Sequence, residues 1–301
     1  MYEKFFYLKE RPFHITPDPG FLYLSKKHRE AMDLLTFGIN DKKGFLLLTG
    51  EVGTGKTTLC RAILDRLPGT TESALVLNPL LSALGLLVTI NGDFGLDVDR
   101  HSVKPHLDRL NEFLLEVTAK GGNAVIIVDE AQNLNAKTLE MVRLLSNLET
   151  HTEKLLQIVL VGQPELKEKL RMPELRQLNQ RIIVRYHLEP LDMEETEGYI
   201  QNRIFTAGGR GTVKFSPQAF RLIFEGSGGV PRLINITCDR ALTAAFVQSK
   251  RTIDERVVAS AIDEMRTEGL LSPAEPQSRS SFLGRLFSSA DRSQQKQRVR
   301  Q

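Results

Sequence analysis

Short runs of consecutive apolar residues, separated by stretches of helical spacing, set the rhythm of the first 190 positions. Phe45-Leu46-Leu47-Leu48 is the first run, and it ends in Thr49-Gly50. Further runs occupy 74–77, 124–128, 157–161 and 182–187. Strands that are apolar throughout, rather than alternately, belong to a parallel sheet buried on both faces. Between them, Val103, His106, Leu107, Leu110, Phe113, Leu114 and Val117 recur at helical spacing. Helices are also predicted over 26–39, over 57–67 with Pro68-Gly69 as its stop, and over 135–148. The expected fold class is α/β, a three-layer core around a central parallel sheet.

The character changes after Pro190-Leu191. Helical patterns cover 194–205, 218–224 and 232–247, and Asp254 caps one more that runs to Met265. Ser216-Pro217 reads as an N-cap followed by proline at the first helical position. With no strand pattern there, residues 191–265 are expected to form a small all-helical domain after a core of 1–190. The opening segment, 1–43, is marked by aromatics and prolines. Residues 266–301, rich in Ser, Gln, Arg and Pro, are expected to be a disordered basic tail.

Charge refines this division. Seven basic residues outnumber three acidic ones from Arg266 to Gln301, yet the whole chain carries only +3. The folded part therefore has no basic excess, and net charge gives no sign of nucleic-acid binding. Cys60 and Cys238 are the only cysteines and stand outside any CxxC or Cys/His cluster, which argues against a zinc site or a disulfide scaffold. Cys60 reads as a small buried apolar residue, and the histidines (His14, His28, His101, His106, His151 and His187) show no metal spacing. The N-terminus lacks a secretory apolar region, and no apolar run is long enough to span a bilayer. A cytoplasmic address is expected. The tail's Phe282-Leu283-Gly284-Arg285-Leu286-Phe287 is either an incidental apolar patch or a docking and membrane-surface element.

The chemistry is carried by Gly50-Glu51-Val52-Gly53-Thr54-Gly55-Lys56-Thr57, a complete GxxxxGK[ST] motif between an apolar strand and a helix. Glycines let successive backbone N–H groups turn toward phosphates, and the helix beginning near Lys56, with Thr58 in its first turn, adds its positive end. Lys56 is expected to neutralise the β- and γ-phosphates of ATP, and the Thr57 hydroxyl to ligate Mg²⁺. A second element is Asp129-Glu130, placed by the run 124–128 at the C-terminal end of a buried strand, where ligands bind in open α/β sheets. Asp129 is expected to hold Mg²⁺ and Glu130 to polarise the attacking water. A strand and a helix intervene between loop and acidic pair. This is the order of ATPases with an additional strand and a catalytic glutamate, not of small GTPases.

With GEVGTGKT, VIIVDEAQ and GGVPR in that order, the chain resembles the AAA+ superfamily. Tyr2, Pro12-Phe13, Thr16-Pro17, Ser25, His28-Arg29-Glu30-Ala31, Asp93-Phe94-Gly95, Gln132, Leu144-Leu145-Ser146-Asn147-Leu148-Glu149, Gly162-Gln163-Pro164-Glu165-Leu166 and Gln180-Arg181-Ile182 make it similar to the general secretion pathway protein A type, over about 1–265. The resemblance implies an oligomeric ATPase supporting assembly of a secretion, pilus or exopolysaccharide-export machine, with a protein partner there. It implies Gln163 as sensor 1, Arg232 as sensor 2, and Arg181 or Arg176 as an arginine finger reaching a neighbouring subunit. Two other functions stay open. One is a DNA-associated regulator of the transposition-ATPase type, with Arg203, Arg210, Lys214 and Arg221 as candidate contacts. The other is an ATP-binding switch with little turnover, against which Glu130 argues.

Overall fold

The computed structural model describes residues 1–15, 19–77, 82–97, 102–150 and 153–271. Most of the tail expectation, including Phe282–Phe287, and those on Thr16-Pro17, His101 and His151 lie outside the described residues. Residues Met1–Ile262 form one compact unit. The other, Asp263–Gln301, is described only through Leu271.

Two helices open the chain: the single-turn α1 (Tyr2–Phe5) and the longer α2 (Lys26–Asn40), the latter capped by Ser25. Then follow β1 (Phe45–Gly50), α3 (Lys56–Leu64), β2 (Thr71–Val76), α4 (Ala83–Asp93), α5 (Val103–Ala119), β3 (Asn123–Val128), α6 (Ala136–Leu145), β4 (Gln157–Gly162), α7 (Glu165–Leu170), α8 (Arg176–Arg181) and β5 (Ile182–Leu188). The five strands pair in parallel in the order β2-β3-β4-β1-β5. Successive side chains of a strand point to opposite faces. Leu46, Leu48, Val125, Ile127, Val159 and Val161 therefore pack against α2 and α3. Phe45, Leu47, Ile126, Val128, Ile158 and Leu160 face the α4–α8 layer. Both faces are covered, which is why the three inner strands read as unbroken apolar runs.

Four elements departed from the sequence pattern. Helix α4 gave no signal because Ala83-Leu84-Gly85-Leu86-Leu87-Val88 is apolar on every side, so no amphipathic period emerges. Helices α7 and α8 span six residues each, under two turns, too short for a period to show. Strand β2 starts at Thr71, before the apolar residues, because it lies at the sheet edge, where Thr71-Glu72-Ser73 can stay partly wet.

Beyond β5 the chain is helical: α9 (Met193–Thr206), α10 (Pro217–Ser227), α11 (Pro231–Val247) and α12 (Glu255–Thr267). Asp192 and Glu195 form a reciprocal capping box on α9. Ser216 accepts from Ala219 N at 3.1 Å, with Pro217 at the first helical position. A two-residue parallel ladder pairs β6 (Lys214–Phe215), before α10, with β7 (Thr252–Ile253), before α12, and is too short to leave a pattern in sequence.

Two fastenings bring the helical region to the sheet. Leu191 N donates to Gly229 O at 2.9 Å, and a Cβ at Gly229 would stand 1.9 Å from Leu191 O, so only glycine fits this crossing. The N-terminal segment supplies the other. Tyr2 hydrogen-bonds Asp239 on α11, Phe5 meets Phe246 edge-on at 5.6 Å, and Lys9 N donates to Ala207 O.

Candidate functional site

Strand β1 delivers the glycine-rich loop to the C-terminal edge of the sheet. Gly53 and Gly55 hold φ of +82° and +97°, and Gly55 is the N-cap of α3. These turns curl the backbone so that the loop's N–H groups and the first turn of α3, Lys56-Thr57-Thr58, face one space. A side chain at Gly53 would also collide with Arg232, whose Cβ is 2.6 Å from the position a Cβ would take. The Lys56 ammonium is buried and donates to Gly50 O and Glu51 O, both at 2.9 Å. Burial pushes its pKa below the ordinary lysine value, with the carboxylates of Glu130, Asp129 and Glu51 pulling the other way.

The insertion of β4 between β1 and β3 sets the rest of the site. Asp129 follows β3, Gln163 follows β4, and both reach the same edge as the loop. Asp129 is 2% exposed and accepts the Thr57 hydroxyl. Burial raises its carboxyl, while the bonds from Thr57 and from Glu130 N lower it. Glu130 sits in the left-handed region, φ 52° and ψ 36°, a costly conformation for a non-glycine residue and one that clusters at functional sites. Two amides hold its Oε2: Gln132 Nε2, and Gln163 Nε2 at 3.2 Å. Gln163 N also donates to Gln132 Oε1 at 3.2 Å. Gln132 was visible in sequence only as part of a motif, and its role in holding Glu130 was not.

The loop forms one wall of a cavity of about 290 Å³. Gly53, Thr54, Gly55, Lys56, Thr57, Thr58, Val52 and Glu130 line it, and Arg232 closes it from α11. Arg232 N donates to Gly53 O at 3.2 Å, while its side chain is exposed. Gly50, whose carbonyl holds Lys56, and Glu51, which is exposed, lie outside the lining set.

Several lining residues were missed in the sequence because they come from distant segments: His14, Phe21, Tyr23, His28, Tyr199, Arg203 and Asn235. His28 is buried, its Nδ1 2.9 Å from Ser25 Oγ and its Nε2 3.0 Å from Thr54 O. Ser25 Oγ accepts the His28 N–H, so its proton goes to Nδ1, and Nε2–H donates to the loop. Burial keeps this imidazole below its ordinary pKa. Arg203, read as a possible DNA contact, is instead buried. It donates to Pro12 O, to Tyr199 OH at 3.0 Å and to His14 O at 3.3 Å, with its guanidinium 4.9 Å from the Phe21 ring. Of the other three, Arg221 pairs with Glu225, and Arg210 and Lys214 are exposed.

The two finger candidates lie at opposite ends of α8. Arg176, its first residue, is exposed. Arg181, its last, donates within its own chain to Ser146 Oγ, to Asn147 Oδ1 at 2.7 Å and to Arg143 O at 3.5 Å, at the C-terminal end of α6. Neither lines the cavity.

The residues fit a nucleotide and a divalent cation. The loop is a cradle in which added Cβ atoms would clash. Thr57 and Asp129 form an oxygen donor pair of the kind Mg²⁺ accepts alongside phosphate oxygens and water. Among the described residues no three His, Cys, Asp or Glu gather into a metal cage, and no helix is long and apolar enough to cross a membrane.

Comparison with known proteins agrees with this geometry. An AAA domain model matches residues 39–170. General secretion pathway protein A of Aeromonas hydrophila is 47% identical over 273 residues, 89% of this chain and 50% of that protein. An uncharacterized HTH-type transcriptional regulator of Methanocaldococcus jannaschii is 26% identical over 179 residues, 58% of this chain and 43% of that protein. The chain thus spans about half the length of the curated relatives it matches. The ORC2 protein of Aeropyrum pernix, solved as ADPNP-ADP complexes, superposes with a TM-score of 0.65 at 19% identity, covering 87% of this chain and 74% of that one. That likeness speaks to the fold. With its strand order, its glycine-rich loop and this relationship in sequence, the chain belongs to the AAA+ P-loop proteins, in the family of general secretion pathway protein A.

Proposed function

We propose that the chain binds ATP with Mg²⁺ and hydrolyses it, and that its cycle drives assembly of a secretion, pilus or exopolysaccharide-export machine from the cytoplasmic side. One observation carries the hydrolytic part: Glu130 stands beside the phosphate loop in a strained conformation, its carboxylate held by Gln132 and Gln163. In this reading the loop N–H groups, Thr58 and Lys56 bind the phosphates, and Arg232 reads the γ-phosphate from α11. Thr57 and Asp129 would hold the Mg²⁺, which would supply charge neutralisation at the phosphates. Glu130 accepts the proton of the attacking water, and Gln163 positions it. Phosphate release by the purified protein at saturating ATP and Mg²⁺ tests this. Absence of turnover at every protein concentration would leave an ATP-binding switch in its place. The envelope role rests on the relative's name alone, and co-purification with an ATP-locked variant tests it.

The site is proposed to be completed by an arginine from a second copy, Arg181 or Arg176. The two separate experimentally, because among the described residues the Arg181 side chain has hydrogen-bond partners in its own chain and that of Arg176 has none. Arg181→Ala is expected to lower stability by about 1–3 kcal/mol through its lost hydrogen bonds, whereas Arg176→Ala should melt like the wild type. The finger variant of the two should bind ATP yet lose about 10³-fold or more in turnover. Mixing it with Glu130→Gln should recover activity, and no recovery in either mixture would remove the shared site.

His28 gives a further expectation. His28→Phe, which loses the bond to Thr54 O, should weaken nucleotide binding about five- to tenfold, the worth of one hydrogen bond of roughly 1 kcal/mol. His28→Gln, which can still donate, should recover most of it. Equal affinities for Phe and wild type in a fluorescent-nucleotide titration would show that the loop does not need this support.

A further inference from the structure

A second cavity, about 310 Å³, opens where the edge strand β5 and helices α7 and α8 meet β1. It shares no lining residue with the nucleotide cavity. Lys167 and Arg171 reach it from α7 and its C-cap, Asn179 from α8, Arg185 and His187 from β5, and Thr49 from β1. Three permanent cations and an imidazole therefore border one concavity that no carboxylate lines.

None of the three cations has an ion-pair partner among the described residues. Arg185 is braced by neutral groups, donating to Asn179 O and to Asn179 Oδ1 at 2.8 Å. Burial lowers its pKa, although a guanidinium stays charged. His187 Nδ1 is engaged by Thr49 Oγ1 at 3.1 Å. Burial, with the nearby Lys167 charge, holds this imidazole below its ordinary pKa, against Glu51 and Glu189, of which Glu189 is already paired with Lys27.

Cations gathered in a cleft with low-dielectric walls repel one another and focus a positive potential into it. An anion relieves that repulsion. The planar donors of Arg171 and Arg185, with a lysine point charge beside them, match phosphate oxygens. The volume is at the lower end for ligand clefts, about 300–1,000 Å³, so the occupant is small. We propose that this cavity is a second anion site, separate from the nucleotide pocket, that takes a small phosphate-bearing solute.

The probe is inorganic pyrophosphate, titrated calorimetrically at fixed ionic strength. Two proteins are used: the wild type with its nucleotide pocket saturated by ADP, and Lys56→Ala. Both should bind pyrophosphate at one site. Arg171→Gln/Arg185→Gln and, separately, Lys167→Gln should weaken it by at least about tenfold, as expected for lost charge-assisted bonds, with unchanged circular dichroism. Absence of binding in both proteins would overturn the site. So would equal binding by the folded variants, or equal affinity for citrate. Failure of ADP to bind the wild type would count against the nucleotide reading alone, since Lys56→Ala still tests this cavity.

Discussion

Lys56→Ala is expected to reduce nucleotide affinity by about 10²–10⁴-fold, the loss of two charge-assisted hydrogen bonds of roughly 1.5–3 kcal/mol each. The ammonium is buried and already committed to Gly50 O and Glu51 O, so its charge is fixed at the turn before any phosphate arrives. Alanine removes both the charge and the brace across the loop. The five-stranded sheet does not depend on either, so the melting temperature should fall only slightly. Fluorescent-nucleotide titration and thermal melting together check this. Wild-type affinity in the variant would sink the assignment of the loop as the phosphate site.

Glu130→Gln is expected to keep nucleotide affinity within about threefold and to lower turnover by about 10²–10⁴-fold, the usual worth of a general base. The amide has the same shape and can still accept from Gln132 and Gln163 through its oxygen. It cannot take a proton from water. Phosphate release and retained nucleotide, measured on the same sample, separate chemistry from binding. Equal turnover in the two proteins would remove Glu130 from the base role.

The loop and the acidic pair were legible because their residues are contiguous and the strands leading to them are apolar on both faces. The strand and helix lying between them along the chain were legible too, whereas the insertion of β4 between β1 and β3 pairs strands distant in sequence and left no local pattern. Gln163 and Arg232 were reached only through family resemblance, since one glutamine and one arginine carry no pattern of their own. His28 could not be read as a loop support, because the partner it holds, Thr54, is 26 residues away and the tautomer depends on Ser25. Arg203 was misjudged for a related reason. Arginine is rarely fully buried without partners, and here the partners are backbone carbonyls of Pro12 and His14, almost 200 positions distant. The same distance hid the bonds of Arg181 to the end of α6.

The opening segment, marked in sequence by its aromatics and prolines, has a mechanical consequence. Its first turn is pinned to α11 by Tyr2, its middle to α9 by Arg203, and α2, which follows, packs on the sheet and reaches the phosphate loop through His28. Lys26 N is tied to Glu195 at the start of α9 as well. The segment is a drawstring threaded through both halves of the nucleotide cleft. Swinging the helices away from the sheet would have to break these ties or carry α2 along, and with α2 the His28 bond to Thr54 in the loop.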